Sequence, residues 1–165
     1  IVLYFVSPEQ KFQLFLLSLI IPISIFLFFN FSIFKLPKLF LGDCGSLLLG
    51  FITSFILIYM ANEKLIHPIL LAWSISIFVY EFLSINLIRI KNKKNPFEAG
   101  IDHMHHLIFR KTKSIFLTNF SISTTNIIFF IVGYLSFRFI NPLTSLILFI
   151  TFFIIFLILR LKFCK

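Results

Sequence analysis

The chain has 165 residues, of which 59% are apolar and 13% charged, and its formal net charge is +9. Soluble domains average about 45–50% apolar and about 25% charged residues, so this composition excludes an ordinary soluble domain. Without such a domain a nucleic-acid-binding patch is not expected. We interpret the positive charge mainly as a signal of membrane topology and of attraction to anionic lipid head groups.

Long apolar runs predict that the chain crosses the membrane about five times. A helix needs about 20 apolar residues to span the hydrocarbon, and these runs lack the period-two alternation of a membrane barrel. The predicted fold class is therefore all-α, a polytopic transmembrane helical bundle forming a single domain over residues 1–165. Residues 1–6 resemble the end of an earlier span, and the full spans are predicted at 12–34, around 47–59, 68–88, 115–137 and 142–159.

The distribution of lysine and arginine predicts which loops face the cytoplasm. The 35–46 loop, the 89–114 loop and the C-terminus together hold twelve of these residues, and the opposite loops hold three. Because cytoplasmic loops carry the excess of positive charge, we expect both named loops in the cytoplasm. The predicted location is the inner (plasma) membrane, with the active face cytoplasmic.

A Gly-Asp-Cys-Gly-Ser segment at residues 42–46 marks the entrance of the second span. Glycines such as Gly42 and Gly45 let the backbone approach a ligand or another helix closely. A helix N-terminus attracts phosphate, and a carboxylate such as Asp43 beside a phosphate is a natural Mg²⁺ ligand. The alternative is that Asp43 or Ser46 only caps the helix.

Three of the four histidines lie within four positions, as His103, His105 and His106. If the segment is helical, His103 and His106 share a face. Neutral imidazoles bind metals and protonated ones hold phosphate, although zinc has little support here without a clear distant ligand. The alternative is a polar loop at the level of the lipid head groups.

Two further polar residues lie within predicted spans, in the halves nearest the cytoplasm. An acidic residue at the centre of a span costs roughly 2.5–3.5 kcal/mol on insertion scales, so Glu81 is expected to face the bundle interior and to have a function. The alternatives are a buried hydrogen bond to a neighbouring helix or escape to the cytoplasmic surface. Asn30 lies near a helix end, where polar residues are ordinary. Together with Asp43 and the histidines, they predict one cytoplasmic site for an anionic ligand and a metal.

Four segments resemble motifs of the polyprenyl-phosphate N-acetylhexosamine-1-phosphate transferases. The segments are KLFLGDCGSLLLG at 38–50, PFEAGIDHMHH at 96–106, Phe-Asn-Phe at 29–31 and VYEFLS at 79–84. The resemblance covers only the C-terminal half of the family core. It implies transfer of N-acetylhexosamine 1-phosphate from a UDP-sugar to undecaprenyl or another polyprenyl phosphate, with release of UMP, in cell-wall or surface-polysaccharide biosynthesis.

The resemblance also implies roles for individual residues. Asp43 matches the metal-binding aspartate, with Mg²⁺ as the expected ion and Mn²⁺ as the alternative, and Asn30 and Glu81 match further catalytic positions. The expected substrate-binding residues are His103, His105, His106, Gly42, Gly45 and Ser46. The expected partners are a UDP-N-acetylhexosamine, polyprenyl phosphate and the lipid bilayer, without nucleic acid. A homodimer and the identity of the sugar nucleotide stay open.

Two departures from the family pattern leave alternatives open. The family's paired Asp-Asp motif has no counterpart among the six acidic residues, and Gly100-Ile101 stands where some members carry Asp-Arg. The chain begins with Ile1 and is expected to be a fragment or half of a split enzyme. The alternative is a non-catalytic or degenerate membrane fragment or subunit. A transporter or channel using Glu81 is opposed because neither internal repeats nor broken helices are expected.

Overall fold

The structure is a computed structural model that describes residues 10–30, 39–96 and 103–163. In these ranges every regular element is a helix. The helices are α1 (Gln10–Asn30), α2 (Gly42–Asn62), α3 (Pro68–Ser74), α4 (Ser76–Lys91), α5 (Met104–Thr112), α6 (Ile115–Phe139) and α7 (Pro142–Phe163). Among them, four are long and apolar enough to cross a membrane, and α3 with α4 makes a fifth if the bent pair is one span. The predicted all-α fold with about five spans is confirmed.

Two helix boundaries differ from the predicted ones in a way that matters for the site. The second span begins at Gly42, so the predicted 35–46 loop ends at Leu41 and the Gly-Asp motif forms the first turn of α2. The predicted 89–114 loop contains the nine-residue helix α5. Residues 31–38 and 97–102 of these two loops lie outside the described residues.

The third predicted span, residues 68–88, is made of two helices rather than one continuous helix. Helices α3 and α4 are bent by 76° at a break that contains Ile75. Neither proline nor glycine occurs between residues 69 and 91, so the usual sequence causes of a break are missing. The expectation that no helix is broken was therefore wrong.

The amide side chain of Asn126, on α6, bonds to the backbone at this break. Its Nδ2 donates to the carbonyl oxygen of Ser74 at 2.8 Å. Its Oδ1 accepts from the amide of Ile77 and from the hydroxyl of Ser76, both at 3.2 Å. A broken transmembrane helix requires such partners, because hydrocarbon offers no water to satisfy the freed backbone groups. Asn126 thus explains how the chain tolerates a bend inside an apolar span.

The contacts divide the chain into two compact units, residues 1–71 and 72–165. The single domain predicted over the whole chain stays a prediction. In the second unit α6 packs against α7, α4 packs against both, and α5 packs against α6.

The core of the second unit is built around Trp73, which is fully buried. Its indole nitrogen donates to Ser145 at 3.0 Å, and its ring packs edge-on against Phe149 and Phe152. A Cβ added to Gly133 would lie only 2.3 Å from the indole ring, so α6 can approach Trp73 closely because residue 133 is glycine. These contacts hold α3, α6 and α7 together beside the break.

Candidate functional site

The Gly-Asp motif places an exposed carboxylate in the first turn of α2. The N-cap of this helix is Leu41, and no side chain forms a capping hydrogen bond. The alternative that Asp43 or Ser46 caps the helix is therefore wrong. Instead, the Ser46 hydroxyl donates to the backbone carbonyl of Asp43 at 2.9 Å. Asp43 is left at the positive end of the helix dipole, where a carboxylate is stabilised and where an anionic ligand with its metal would also be favoured.

The two glycines of the motif have separate structural reasons. Gly42 has φ +69°, a left-handed conformation that glycine adopts without steric cost. A Cβ on Gly45 would lie 2.7 Å from the Cγ of Leu41, so this glycine makes room for the side chain at the N-cap. Both glycines therefore shape the turn into α2. Their predicted contact with substrate stays a prediction.

The three histidines lie together at the start of α5. His103 is the N-cap residue and has extended backbone angles, φ −66° and ψ 147°. Its ring stacks on His105 with 5.6 Å between centroids, and the rings of His105 and His106 lie 4.1 Å apart. Because His103 precedes the helix, the predicted pairing of His103 with His106 by helical spacing does not apply. His105 is the central ring of the cluster.

Glu81, on α4, holds this cluster in place. Its Oε1 accepts from the backbone amide of Met104 at 2.7 Å and lies 3.2 Å from Nδ1 of His103. The side chain of Glu81 is only 18% exposed, against 44% for His103. The carboxylate thus accepts from an amide at the N-terminus of α5 that the side chain of the N-cap residue, His103, does not cap. The alternative of a buried hydrogen bond to a neighbouring helix therefore describes Glu81 correctly.

The surroundings of the cluster disfavour protonation of its central imidazole. Partial burial lowers the pKa of His105, and the neighbouring His106 and His103 lower this pKa further, while the Glu81 carboxylate opposes them. The uncharged form of His105 that is favoured in this way is suited to hydrogen bonding with a ligand.

The remaining predicted residue, Asn30, uses its amide within its own helix. Its Nδ2 donates to the carbonyl oxygen of Phe26 at 2.9 Å, as is ordinary for a polar residue near a helix end. Its catalytic role stays a prediction. Glu81, His103, His105 and His106 are brought together in the second unit, whereas Asn30 and Asp43 belong to the first unit. The shared pocket of Asp43 with the histidines also stays a prediction.

A zinc site at the histidines gains no support from the geometry. Within 10–30, 39–96 and 103–163, no group of three or more His, Cys, Asp or Glu side chains is placed to hold a metal ion. A single carboxylate such as Asp43 is a different case. Mg²⁺ commonly binds through one or two carboxylates and completes its shell with substrate phosphates and water.

Sequence reasoning missed two polar contacts between helices in the second unit, one part-buried and one buried. One is Asn126, which lies 11 residues into α6, or about 16 Å along the helix, near the middle of a span. The other is Arg160, only 5% exposed, whose Nη1 donates to the hydroxyl of Ser84 at 3.0 Å. The signal for Asn126 was available, because polar side chains at that depth normally find a partner inside the bundle.

Comparisons with known proteins support the resemblance inferred from the motifs. Residues 1–61 match the family model described as Glycosyl transferase family 4. The chain is 30% identical to the undecaprenyl-phosphate alpha-N-acetylglucosaminyl 1-phosphate transferase of Yersinia pestis over 112 residues, which are 66% of this chain and 31% of that protein. Proteins of the same name match at 36% identity in Escherichia coli (strain K12), over 44% of this chain and 20% of the relative. In Haemophilus influenzae the identity is 34%, over 56% of this chain and 27% of the relative.

These relatives confirm the resemblance over part of the chain. The matched segment spans about a third or less of each relative's length. No solved structure matches.

Proposed function

We propose that this chain is part of a membrane transferase that moves N-acetylhexosamine 1-phosphate from a UDP-sugar to a polyprenyl phosphate. The single observation that carries the proposal is the Glu81 contact that orders three adjacent imidazoles at the start of α5. The proposal is further supported by the similarity of part of the chain to transferases named for undecaprenyl phosphate and N-acetylglucosamine. We place the reaction at the cytoplasmic face of the inner membrane, because the twelve clustered positive charges fall on that side.

The proposed reaction is a phosphoryl transfer. A phosphate oxygen of the polyprenyl phosphate attacks the phosphorus that carries the sugar, a new P–O–P bond forms, and the bond from that phosphorus to UMP breaks. UMP leaves with the electron pair, so no oxidant, reductant or further reactant is needed. Catalysis of this kind consists mostly of positioning the reactants and neutralising charge.

The candidate residues can be assigned to these two roles, positioning the reactants and neutralising charge. His103, His105 and His106 would bind the nucleotide sugar, and His105, whose pKa is lowered, would donate or accept a hydrogen bond rather than add charge. Asp43 would hold Mg²⁺, and its exposed position in the first turn of α2 fits an ion that keeps water and substrate phosphates as ligands. The ion, when bound, neutralises negative charge on the diphosphate.

Glu81 is assigned a positioning role in this proposal rather than contact with substrate. Its carboxylate already accepts the Met104 amide and lies against His103, so it acts through the histidine cluster. Glutamine at this position keeps an acceptor for the amide and loses the charge, whereas alanine loses both. A positioning role therefore predicts a graded loss of substrate binding, smaller for Glu81→Gln than for Glu81→Ala.

Chemical protection of the histidines tests the proposal without requiring turnover. Diethyl pyrocarbonate modifies neutral imidazoles, and mass spectrometry resolves each histidine. UDP-N-acetylglucosamine with Mg²⁺ should protect His103, His105 and His106 and leave His67, outside the cluster, unprotected. Equal modification of all four residues with and without the nucleotide sugar would contradict the proposal.

A transfer assay then tests the role of Asp43. Membranes containing the chain, alone or with the N-terminal half of the Yersinia relative, receive radiolabelled UDP-N-acetylglucosamine, and label in the lipid extract is counted. Asp43→Asn should lower transfer by about 100-fold or more, the usual effect of removing one preorganised electrostatic contact. Glu63→Gln, an acid between α2 and α3, should leave transfer unchanged. Transfer that survives Asp43→Asn would show that this carboxylate is not the metal ligand.

A further inference from the structure

A cavity of about 270 Å³ lies behind the histidine helix, between α5, α6 and α7. One face of α5 lines it, with residues at positions i, i+3, i+4 and i+7, which share a side of a helix. The other two helices add aromatic and aliphatic side chains, one threonine and one arginine. The side chains that matter here are Met104, Leu107, Ile108, Lys111, Phe129 and Arg160.

The cavity combines a positively charged end with an apolar interior. Lys111 is in the last turn of α5 and Arg160 in the last turn of α7. The bond from Arg160 to Ser84, at 3.0 Å, fixes the guanidinium against α4, so that its charge stays in the wall of the cavity. Phe129 lies 14 residues into α6, about 21 Å along that helix. The lining therefore extends from the basic residues in the last turns of α5 and α7 to apolar residues at the depth of the lipid hydrocarbon.

We propose that this cavity binds an anionic membrane phospholipid, with the phosphate beside Lys111 and Arg160 and one acyl chain along α5, α6 and α7. Charge complementarity selects an anionic head group. The apolar lining and two neighbouring spans long enough to cross the bilayer select a lipid tail. The inference does not depend on the transferase activity.

The orientation of α5 favours a lipid that does not react. His105 and His106 fall outside the i, i+3, i+4, i+7 face that lines the cavity, because each residue advances about 100° around the helix. A molecule in the cavity therefore does not present its phosphate to the histidine cluster. A phospholipid here would instead hold α5 against α6 and α7, and so support the helix on which the histidines lie.

Native mass spectrometry of the purified chain in detergent tests the proposal. Phosphatidylglycerol and phosphatidylcholine with the same acyl chains are titrated in parallel, and bound lipid is counted. Phosphatidylglycerol should bind more tightly, and Lys111→Gln should weaken it about fivefold, the effect of about 1 kcal/mol per basic residue at a membrane surface. Arg110→Gln removes the same charge one residue away, outside the lining, and should change binding less than twofold.

A cavity-filling variant provides an independent measurement. Ile108→Trp should reduce the number of phosphatidylglycerol molecules bound by one, with unchanged helical content by circular dichroism. Equal binding of the two phospholipids, or equal effects of Lys111→Gln and Arg110→Gln, would overturn the proposal. Undecaprenyl phosphate displacing phosphatidylglycerol from the wild type but not from Ile108→Trp would overturn it too, by assigning the cavity to the acceptor. None of these measurements requires a nucleotide sugar, so their failure is separate from failure of the transferase proposal.

Discussion

Replacing Asn126 with alanine removes the side chain that forms hydrogen bonds with backbone groups at the break between α3 and α4. Two backbone groups then lose a hydrogen bond, the carbonyl of Ser74 at 2.8 Å and the amide of Ile77 at 3.2 Å. A lost hydrogen bond that water does not replace costs about 1–3 kcal/mol. The two lost bonds predict a decrease of about 2 kcal/mol or more in the free energy of unfolding.

Trp73 offers a direct assay because it is the single tryptophan of the chain and lies one residue from Ser74. The chain in mixed micelles is unfolded with increasing denaturing detergent, and indole fluorescence gives the transition. Thr151→Val is the matched control, since the hydroxyl of Thr151 donates to the carbonyl of Ile147 within the same helix, α7, at 2.9 Å, on an exposed face. If Asn126→Ala unfolds within about 0.5 kcal/mol of this control, the range of neutral surface substitutions, the proposed role of Asn126 is refuted.

Three further predictions concern the core and the histidine cluster. Gly133→Ala should destabilise the fold by about 1–3 kcal/mol because its Cβ would lie 2.3 Å from the Trp73 ring, whereas Gly50→Ala, which meets nothing within 4 Å, should be neutral or stabilising in the same unfolding assay. Glu81→Ala should raise the amide hydrogen exchange of α5 by about tenfold and Glu81→Gln by less, and equal exchange in all three proteins would contradict the capping role. The pKa of His105 is lowered, so the folded state resists its protonation: His105 should keep reacting with diethyl pyrocarbonate at pH values where an unfolded peptide no longer does, and folding stability should fall as pH drops below about 6.5. His105→Gln should reduce that acid sensitivity, and an unchanged stability profile would contradict it.

Spans and their number were predictable because length and hydrophobicity alone decide what can cross a bilayer. Helices α6 and α7 begin at the predicted residues, 115 and 142, where Ser114 and Pro142 provide ordinary helix-start signals. The break at Ile75 was not predictable from its own neighbourhood. The break depends on Asn126, about 50 residues later in the chain. A contact between residues so far apart in sequence can be recognised only when the packing of the helices is known.

For the candidate site too, the residue types were informative, whereas the contacts between them could not be predicted. The unusual clustering of three histidines drew attention to a segment that contacts Glu81, and the intramembrane position of Glu81 predicted a residue with a partner. The contact between Glu81 and His103 could not be derived, because the two residues lie 22 positions apart in the sequence and belong to different elements. The capping alternative at Asp43 and Ser46 was wrong because the helix begins one residue earlier, at Gly42, whose left-handed backbone makes the turn.

The central prediction from the sequence, which the structure leaves untested, is that Asp43 and the histidine cluster lie in one site at one face of the membrane. Cys44, exposed beside Asp43, accepts a spin label without a new substitution there. A second label at His105→Cys, in a Cys164→Ser background, allows pulsed electron paramagnetic resonance to measure the distance between the two positions in lipid nanodiscs. We predict a distance well below the ~30 Å thickness of the hydrocarbon, and a distance at or above that thickness would contradict this prediction.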